Sequence, residues 1–134
     1  MEQQKIDDHE EEVFNVGVGE DKPQLGPKTV TVNGLKIESV EKDGKHIGNK
    51  LVLLVNHQDA AEEVQISGVK YLDAKEKVKN SGLWVKLDGD NKLAYHSATA
   101  NLLRHYKVKA LKDLKGIDVE TCLDASNYLA IKAY

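Results

Sequence analysis

In two short segments of the chain, 83–87 and 128–134, all the aromatic rings and lysines fall in the same alternating set of positions. The residues concerned are Trp84, Lys86, Tyr128, Lys132 and Tyr134. Because a β-strand turns successive side chains to opposite faces, each segment would bury its apolar set and display its rings and lysines. Exposed rings stack on nucleobases and lysines contact phosphates, which is the chemistry of single-strand binding.

A further lysine, Lys70, alternates with Val69 and Tyr71 and would extend the same track, together with Lys79. The predicted nucleic-acid-binding residues are therefore Trp84, Lys86, Tyr128, Lys132 and Lys70. Two structural alternatives compete with this interpretation. Trp84 could pack under the arm or the helix with its indole N–H satisfied locally, and Lys132 could pair with Glu120 across the last two strands. The same outward aromatics would also suit a protein interface.

Catalytic chemistry finds little support, and we predict no catalytic residue, no metal and no cofactor. The five histidines share no metal-ligand spacing, and His57, which follows a strand, is expected to be solvated. The run that starts at Asp88 begins like a calcium loop, but Leu93 and Thr99 stand where such a loop has its glycine and glutamate. Cys122 has no neighbouring base and is predicted to be an inert thiol.

The charge of the chain is divided unevenly along its 134 residues. Residues 1–22 carry eight acids and two lysines, net −6, whereas residues 23–134 carry 17 bases and 14 acids, net +3. Only one base, Arg104, is an arginine, so bidentate arginine readout of bases is nearly excluded. A single cysteine and the lack of a long apolar run predict a cytoplasmic protein without a membrane partner.

The acidic segment is predicted to belong to an N-terminal arm, residues 1–27, which precedes one domain at 28–134. Within the arm, Phe14, Val16 and Val18 alternate with other residues, so they could add an edge strand or dock a partner. The alternative is a disordered tail. Expected partners are single-stranded nucleic acid on the body and a protein bound through the arm, with a homodimer as one form of that contact.

The domain is predicted to be mainly β with one helix. Strands are expected before and after Asn33-Gly34, at 51–55, at 64–71, at 83–95 as a hairpin, and at 117–123 and 129–133. Asn33-Gly34 marks either a tight hairpin or a bulge in one long strand. The helix begins after Ser97, a good N-cap, and a shorter turn follows at Leu111–Leu114.

This order places a helix between the third and fourth strands, which is the layout of an OB-like five-stranded antiparallel barrel. Another small β-barrel or an α+β roll with the same helix is the competing architecture. The function predicted for such a domain is weak, non-enzymatic binding of single-stranded nucleic acid. The alternative is an interaction or assembly module that uses the same aromatic face.

The C-terminal third also resembles a known group. The pattern from Leu111 through Gly116 to Val119, followed by Tyr128-Leu129-Ala130-Ile131-Lys132, looks like small phage and archaeal OB-like proteins of the single-strand-binding type. In that group a short helix, a Leu-x-Gly step and two closing strands end the domain. The resemblance implies the same fold and binding class. It carries over no individual functional residue, and the N-terminal position of the acidic arm departs from familiar single-strand-binding proteins.

Overall fold

The computed structural model describes residues 13–18 and 25–134. Within residues 25–134, eight strands, one α-helix and one 3₁₀ helix follow one another. They are β1 (Val30–Lys42), β2 (Lys45–Asn56), β3 (Val64–Ile66), β4 (Gly68–Leu72), β5 (Val78–Gly82), α1 (Ala98–His105), the 3₁₀ helix (Leu111–Leu114), β6 (Asp118–Val119), β7 (Thr121–Leu123) and β8 (Leu129–Ala133). The prediction of a mainly β domain with one helix is confirmed.

The long β1–β2 hairpin organises the first sheet. Asp43 and Gly44 both adopt positive φ, as a two-residue turn of the type I′ kind requires, and Lys42 pairs with Lys45 across it. The register shifts between Val32 and Gly34, so Asn33 forms a bulge in a single bent strand. Of the two alternatives for Asn33-Gly34, the bulge is therefore the one that the structure adopts.

The strands form two four-stranded sheets, in the orders β3-β2-β1-β6 and β5-β4-β8-β7. Only Ser67 separates β3 from β4, and only Glu120 separates β6 from β7, so two continuous stretches of chain run from one sheet into the other. All pairs are antiparallel except β4 with β8, where Val69 lies beside Ile131 in parallel register. The prediction of antiparallel pairing throughout is wrong for this pair. The long connection between the two strands, which includes α1, allows them to run in the same direction.

The core lies between the sheets and α1. In β2 the alternate residues Leu51, Leu53 and Val55 are buried, and Leu102 anchors the helix at zero exposure. The N-cap prediction is confirmed, because the Ser97 hydroxyl accepts a hydrogen bond from the Ala100 N–H at 3.1 Å. Burial of this apolar face, at about 25 cal/mol per Å² of surface removed from water, supplies the main stabilisation of the domain.

Two sequence-based expectations about strands need correction. β5 was not predicted, since Val78 is its only strongly apolar residue and an edge strand with two accessible faces shows no alternation. The segment predicted as an 83–95 hairpin forms only two isolated bridges, between Lys50 and Trp84 and between Leu87 and Leu93.

The segment 13–18 is not a strand either. Val13 and Phe14 are helical, and the Val16 N–H closes a turn onto the Val13 carbonyl at 3.0 Å. Phe14, Val16 and Val18 are exposed, so the predicted strand is absent from this conformation of the chain. The remainder of the predicted arm before residue 25 lies outside the described residues. No helix in the described ranges is long and apolar enough to cross a membrane.

Candidate functional site

One surface of the domain, to which both sheets contribute, collects most of the predicted binding residues. The core residues show which side of each segment faces outward. Leu51 in β2, Val69 in β4, Leu83 after β5 and Ile131 in β8 all point inward. Their sequence neighbours consequently point to the opposite side. We call this surface the outer face; its residues are Lys50, Gly68, Lys70, Gly82, Trp84, Lys86, Tyr128, Lys132 and Ala130, the last of which is buried.

Trp84 lies against β2 with its ring partly accessible. The bridge to Lys50 places the Lys50 ammonium 5.0 Å from the centroid of the indole, a cation–π distance. A Cβ added at Gly48 would come within 3.2 Å of the benzo ring, and one at Gly82 within 3.1 Å of the indole nitrogen. A side chain at Gly48 would crowd the indole, and one at Gly82 would collide first with the Lys50 side chain. The indole itself is half-buried.

The helix fixes the position of this tryptophan through the backbone. Thr99, buried in the first turn of α1, donates its hydroxyl proton to the Trp84 carbonyl at 2.7 Å. The Leu51 N–H bonds the Leu83 carbonyl, and the Val85 N–H bonds the Asn49 carbonyl. The last two bonds hold residues 83–85 along β2 although no continuous strand forms, and the first joins the segment to α1.

A groove lined in part by small residues has Lys50 and Tyr128 in its wall. Trp84 adjoins it at Lys50 and Gly82 but does not line it. Gly68, Gly82 and Ala130 line it together with Lys50 and Tyr128, and its volume is about 460 Å³. Gly68 and Ala130 lie side by side, since a Cβ at Gly68 would be 3.9 Å from that of Ala130. Tyr128 is the aromatic residue in its lining, so a flat group in the groove could stack on that ring.

Tyr128 forms the far end of the groove. It belongs to the β7–β8 loop, and its ring is 69% exposed. The Asp124 carboxylate accepts the N–H groups of both Ser126 and Tyr128, at 2.8 and 3.0 Å, which fixes the loop. Asp124 also lines the groove. Both hydrogen bonds go to its Oδ1 atom, so that oxygen is already occupied as an acceptor.

Lys70 and Lys132 continue the outer face beyond the groove, paired directly in the parallel register of β4 and β8. The Lys70 ammonium donates to the Leu123 carbonyl at 3.3 Å. The Lys132 ammonium lies 3.8 Å from a Glu120 carboxylate oxygen, so the ion pair proposed as the structural alternative is present. Exposed pairs of this kind contribute about 0.2–1 kcal/mol, little enough for a phosphate to replace the carboxylate.

Lys86 and Lys79 occupy different positions from the central groove. Lys86 is exposed and shares a second concavity with Trp84 and the adjoining residues of β2. Lys79 pairs with Tyr71, an inward-facing residue of β4, and its ammonium lies 3.9 Å from Asp73. The prediction that Lys79 extends the lysine track is therefore wrong, since it belongs to the other face of β5.

Lys50 is the residue of this surface that the sequence interpretation missed. It follows Asn49 in a polar stretch just before the apolar run of β2, and nothing there distinguishes it from a solvated lysine. The alternating pattern of the strand did indicate its orientation. Because Leu51 and Leu53 are buried, Lys50, one residue before Leu51, points to the outward side.

His57 and Cys122, the two residues considered above as possible catalytic groups, are buried and partly buried respectively. His57 is buried at 3% exposure, which corrects the expectation of a solvated ring; its Nδ1 accepts the Asp59 N–H, and Nε2 donates to the Gly26 carbonyl at 2.7 Å. Burial raises the pKa of the Cys122 thiol despite Lys70 and Lys132 nearby. Among residues 13–18 and 25–134, no group of three or more acids, histidines or cysteines could hold a metal ion.

Comparison with models of protein families gives no match for this chain. Comparisons with curated proteins and with solved structures give no match either. Any functional conclusion must therefore come from the outer face itself.

Proposed function

We propose that this chain is a non-enzymatic OB-like domain that binds single-stranded nucleic acid weakly on its outer face. The observation that carries the proposal is the groove lined by Lys50 and Tyr128, with the Trp84 indole beside it in contact with the Lys50 ammonium. Bases would stack on Tyr128 in the groove and on Trp84 beside it. The backbone phosphates would contact Lys50 and the outward lysines Lys70, Lys86 and Lys132.

The support for an OB-like barrel is the pattern of strand pairing. If β3 with β4 counts as one strand and β6 with β7 as another, the order becomes five strands with α1 between the third and the fourth. Antiparallel pairs then join β1 to β2 and to the fourth strand, and β8 lies between the third and fourth strands. The hairpin strand β5 is an addition to that plan.

The position of the groove adds to this support. OB-fold domains bind oligonucleotides on the face of the second and third strands and with the loops after the first and fourth strands. Here the groove is lined by Lys50 of β2, by the β3–β4 junction at Ser67 and by Tyr128 of the loop before β8. In this numbering of five strands, that loop is the one after the fourth. The resemblance of the C-terminal third to single-strand-binding proteins points to the same class.

The proposed binding is weak and electrostatic in part, because few lysines face the ligand. Each phosphate that is neutralised on a single strand contributes about −0.7 to the slope of log K against log salt. Two to four of the outward lysines would give a slope of about −1.5 to −3. The test is fluorescence anisotropy of a labelled oligothymidylate at several salt concentrations. A slope near zero with measurable affinity would contradict phosphate contacts on this face.

A variant pair tests the location. Trp84→Ala should weaken binding more than Lys45→Ala, because Lys45 lies in the exposed turn between β1 and β2. Equal effects would mean that the ligand does not distinguish the groove from the turn.

The second candidate is a protein-interaction module, favoured by the apolar side chains that the described part of the arm leaves exposed. Phe14 is 74% exposed, and Val16 is 75% exposed. On this alternative the outer face binds protein and no oligonucleotide. Sedimentation would then show Phe14-dependent self-association, and the anisotropy of the oligothymidylate would stay constant.

A further inference from the structure

A further concavity lies beside α1. Its walls are the loop 87–93, α1 and the segment 108–111, and its volume is about 410 Å³. Its lining shares no residue with the groove lined by Lys50 and Tyr128. Sites for small molecules have volumes of about 300–1,000 Å³, so this concavity has the size of such a site. We call it the helix cleft.

The wall of the helix cleft is apolar and only partly covered. Its aliphatic side chains are Leu87, Leu93, Leu103, Val108 and Leu111. Leu103, Val108 and Leu111 pack against the core but are only partly buried. Leu87 is 51% exposed. An apolar group in the cleft would remove this surface from water, which favours binding.

Backbone hydrogen bonds hold the walls in place. The Asp88 N–H bonds the Lys92 carbonyl at 2.8 Å and closes the loop 87–93. The Val108 N–H bonds the Leu103 carbonyl at 3.0 Å and joins the third wall to α1. The cleft is therefore formed before a ligand arrives, and binding does not have to order its backbone.

The rim of the helix cleft is basic. Lys92, Arg104 and Lys109 are exposed residues of its lining, and no acid contributes to that lining. The Arg104 guanidinium lies 4.0 Å from the centroid of the Tyr95 ring, a cation–π contact that restricts its position. An arginine held in this way can present two parallel N–H donors to a carboxylate.

The sequence that builds most of the cleft contains no acid. Residues 91–112 carry five bases and no aspartate or glutamate. The flanking carboxylates of Asp88 and Asp113 accept the N–H groups of Lys92 and Ala110, each at 3.1 Å, so they serve their own loops. The local field at the rim therefore favours a negatively charged ligand.

We infer that the helix cleft binds a small amphiphilic anion, an alkyl or aryl carboxylate. The apolar part of the ligand lies against Leu87 and Leu103, and its carboxylate lies at the basic rim beside Arg104 and Lys109. The apolar wall accounts for the tail, and the three cations without a lining acid account for the charge. This inference is independent of nucleic-acid binding, because the cleft and the groove share no lining residue.

The test is a titration of the full chain with octanoate, followed by amide NMR. Saturable shifts are expected at Leu103, Val108 and neighbouring cleft residues, and none around Tyr128. Acetate has the same carboxylate without the tail, and octylammonium has the same tail with the opposite charge, so both should bind much more weakly. An absence of saturable shifts, shifts centred on Tyr128, or equal binding of octylammonium would overturn the inference.

Matched variants test the two parts of the cleft. Lys109→Glu should weaken octanoate binding by about fivefold, because it removes one exposed attraction and adds a repulsion. Lys45→Glu, which makes the same charge change in the exposed β1–β2 turn, should leave the affinity unchanged. Leu87→Ser should also weaken binding, whereas Ile37→Ser should not, although Ile37 is exposed to a similar extent, at 53%. Circular dichroism checks that each variant is folded. Equal affinities within either pair of folded variants would overturn the inference.

Two competition experiments exclude other occupants. Oligothymidylate should leave the cleft amides and the affinity for octanoate unchanged. Displacement of octanoate by the oligonucleotide would place nucleic acid in the cleft and contradict the inference. Saturable cleft shifts with an acidic, leucine-containing peptide, but none with octanoate, would assign the cleft to a protein partner and also contradict it.

Discussion

Replacement of Trp84 by alanine should weaken binding of a short oligothymidylate by about 5- to 30-fold. Base–aromatic stacking contributes about 1–3 kcal/mol per base. The ring is not fully available, because the Lys50 ammonium lies 5.0 Å from its centroid and a base must displace it. That contact contributes about 0.5–1 kcal/mol at an accessible site. The net loss is therefore about 1–2 kcal/mol, with tenfold in affinity for each 1.4 kcal/mol.

Fluorescence anisotropy of a labelled oligonucleotide at low salt measures this loss without using the fluorescence of the protein. Tyr95→Ala is the matched control, since Tyr95 is also an exposed aromatic, at 68%, but lies beside Arg104 near α1. Trp84→Phe keeps a ring that can stack and should retain an intermediate affinity. Circular dichroism of each variant checks that the fold is intact. Unchanged affinity in folded Trp84→Ala, or an equal loss in Tyr95→Ala, would refute the role assigned to the outer face.

Three further predictions concern the scaffold. Tyr106→Phe should lower the free energy of unfolding by about 1–3 kcal/mol in urea denaturation, because the hydroxyl donates to the Lys132 carbonyl and accepts the Glu120 N–H; an unchanged midpoint would contradict this. The hydrogen bond from Lys28 lowers the pKa of Asp59 below 3.8, so the charged form favours the folded state. That contribution is present above about pH 4 and is lost as the pH falls through the folded-state pKa. Asp59→Asn should therefore be less stable than the parent at pH 7 but not at pH 2. The Cys122 thiol, with its pKa raised by burial, should react with iodoacetamide at pH 8 more slowly in the folded than in the denatured protein; equal rates would show that it is accessible.

Alternation predicted the faces of the strands better than it predicted their boundaries. Trp84 and Lys86 lie on the opposite side from Leu83, and Tyr128 and Lys132 lie opposite Ile131, as the two-residue period requires. This part of the candidate site could be predicted because the apolar residues that fix each face are adjacent in sequence. The helix was equally accessible, since an N-cap serine and the spacing of its apolar residues are local signals.

The remaining features depend on contacts between distant segments. The groove exists because Gly68, Gly82 and Ala130, from three separate strands, come together, and small residues carry no signal in any one strand. The parallel pairing of β4 with β8 is likewise a property of the fold as a whole. His57 is buried only because the chain at Gly26 crosses over it, 31 residues away in sequence.

The chain contains a single tryptophan, so its intrinsic tryptophan fluorescence reports on Trp84 alone. Titration of the full chain with an unlabelled oligothymidylate at low salt, followed by addition of salt, is the most direct test of the proposed binding face. The outer-face proposal predicts a saturable decrease in Trp84 fluorescence that added salt reverses. Fluorescence that stays constant while an independent assay detects binding would contradict it.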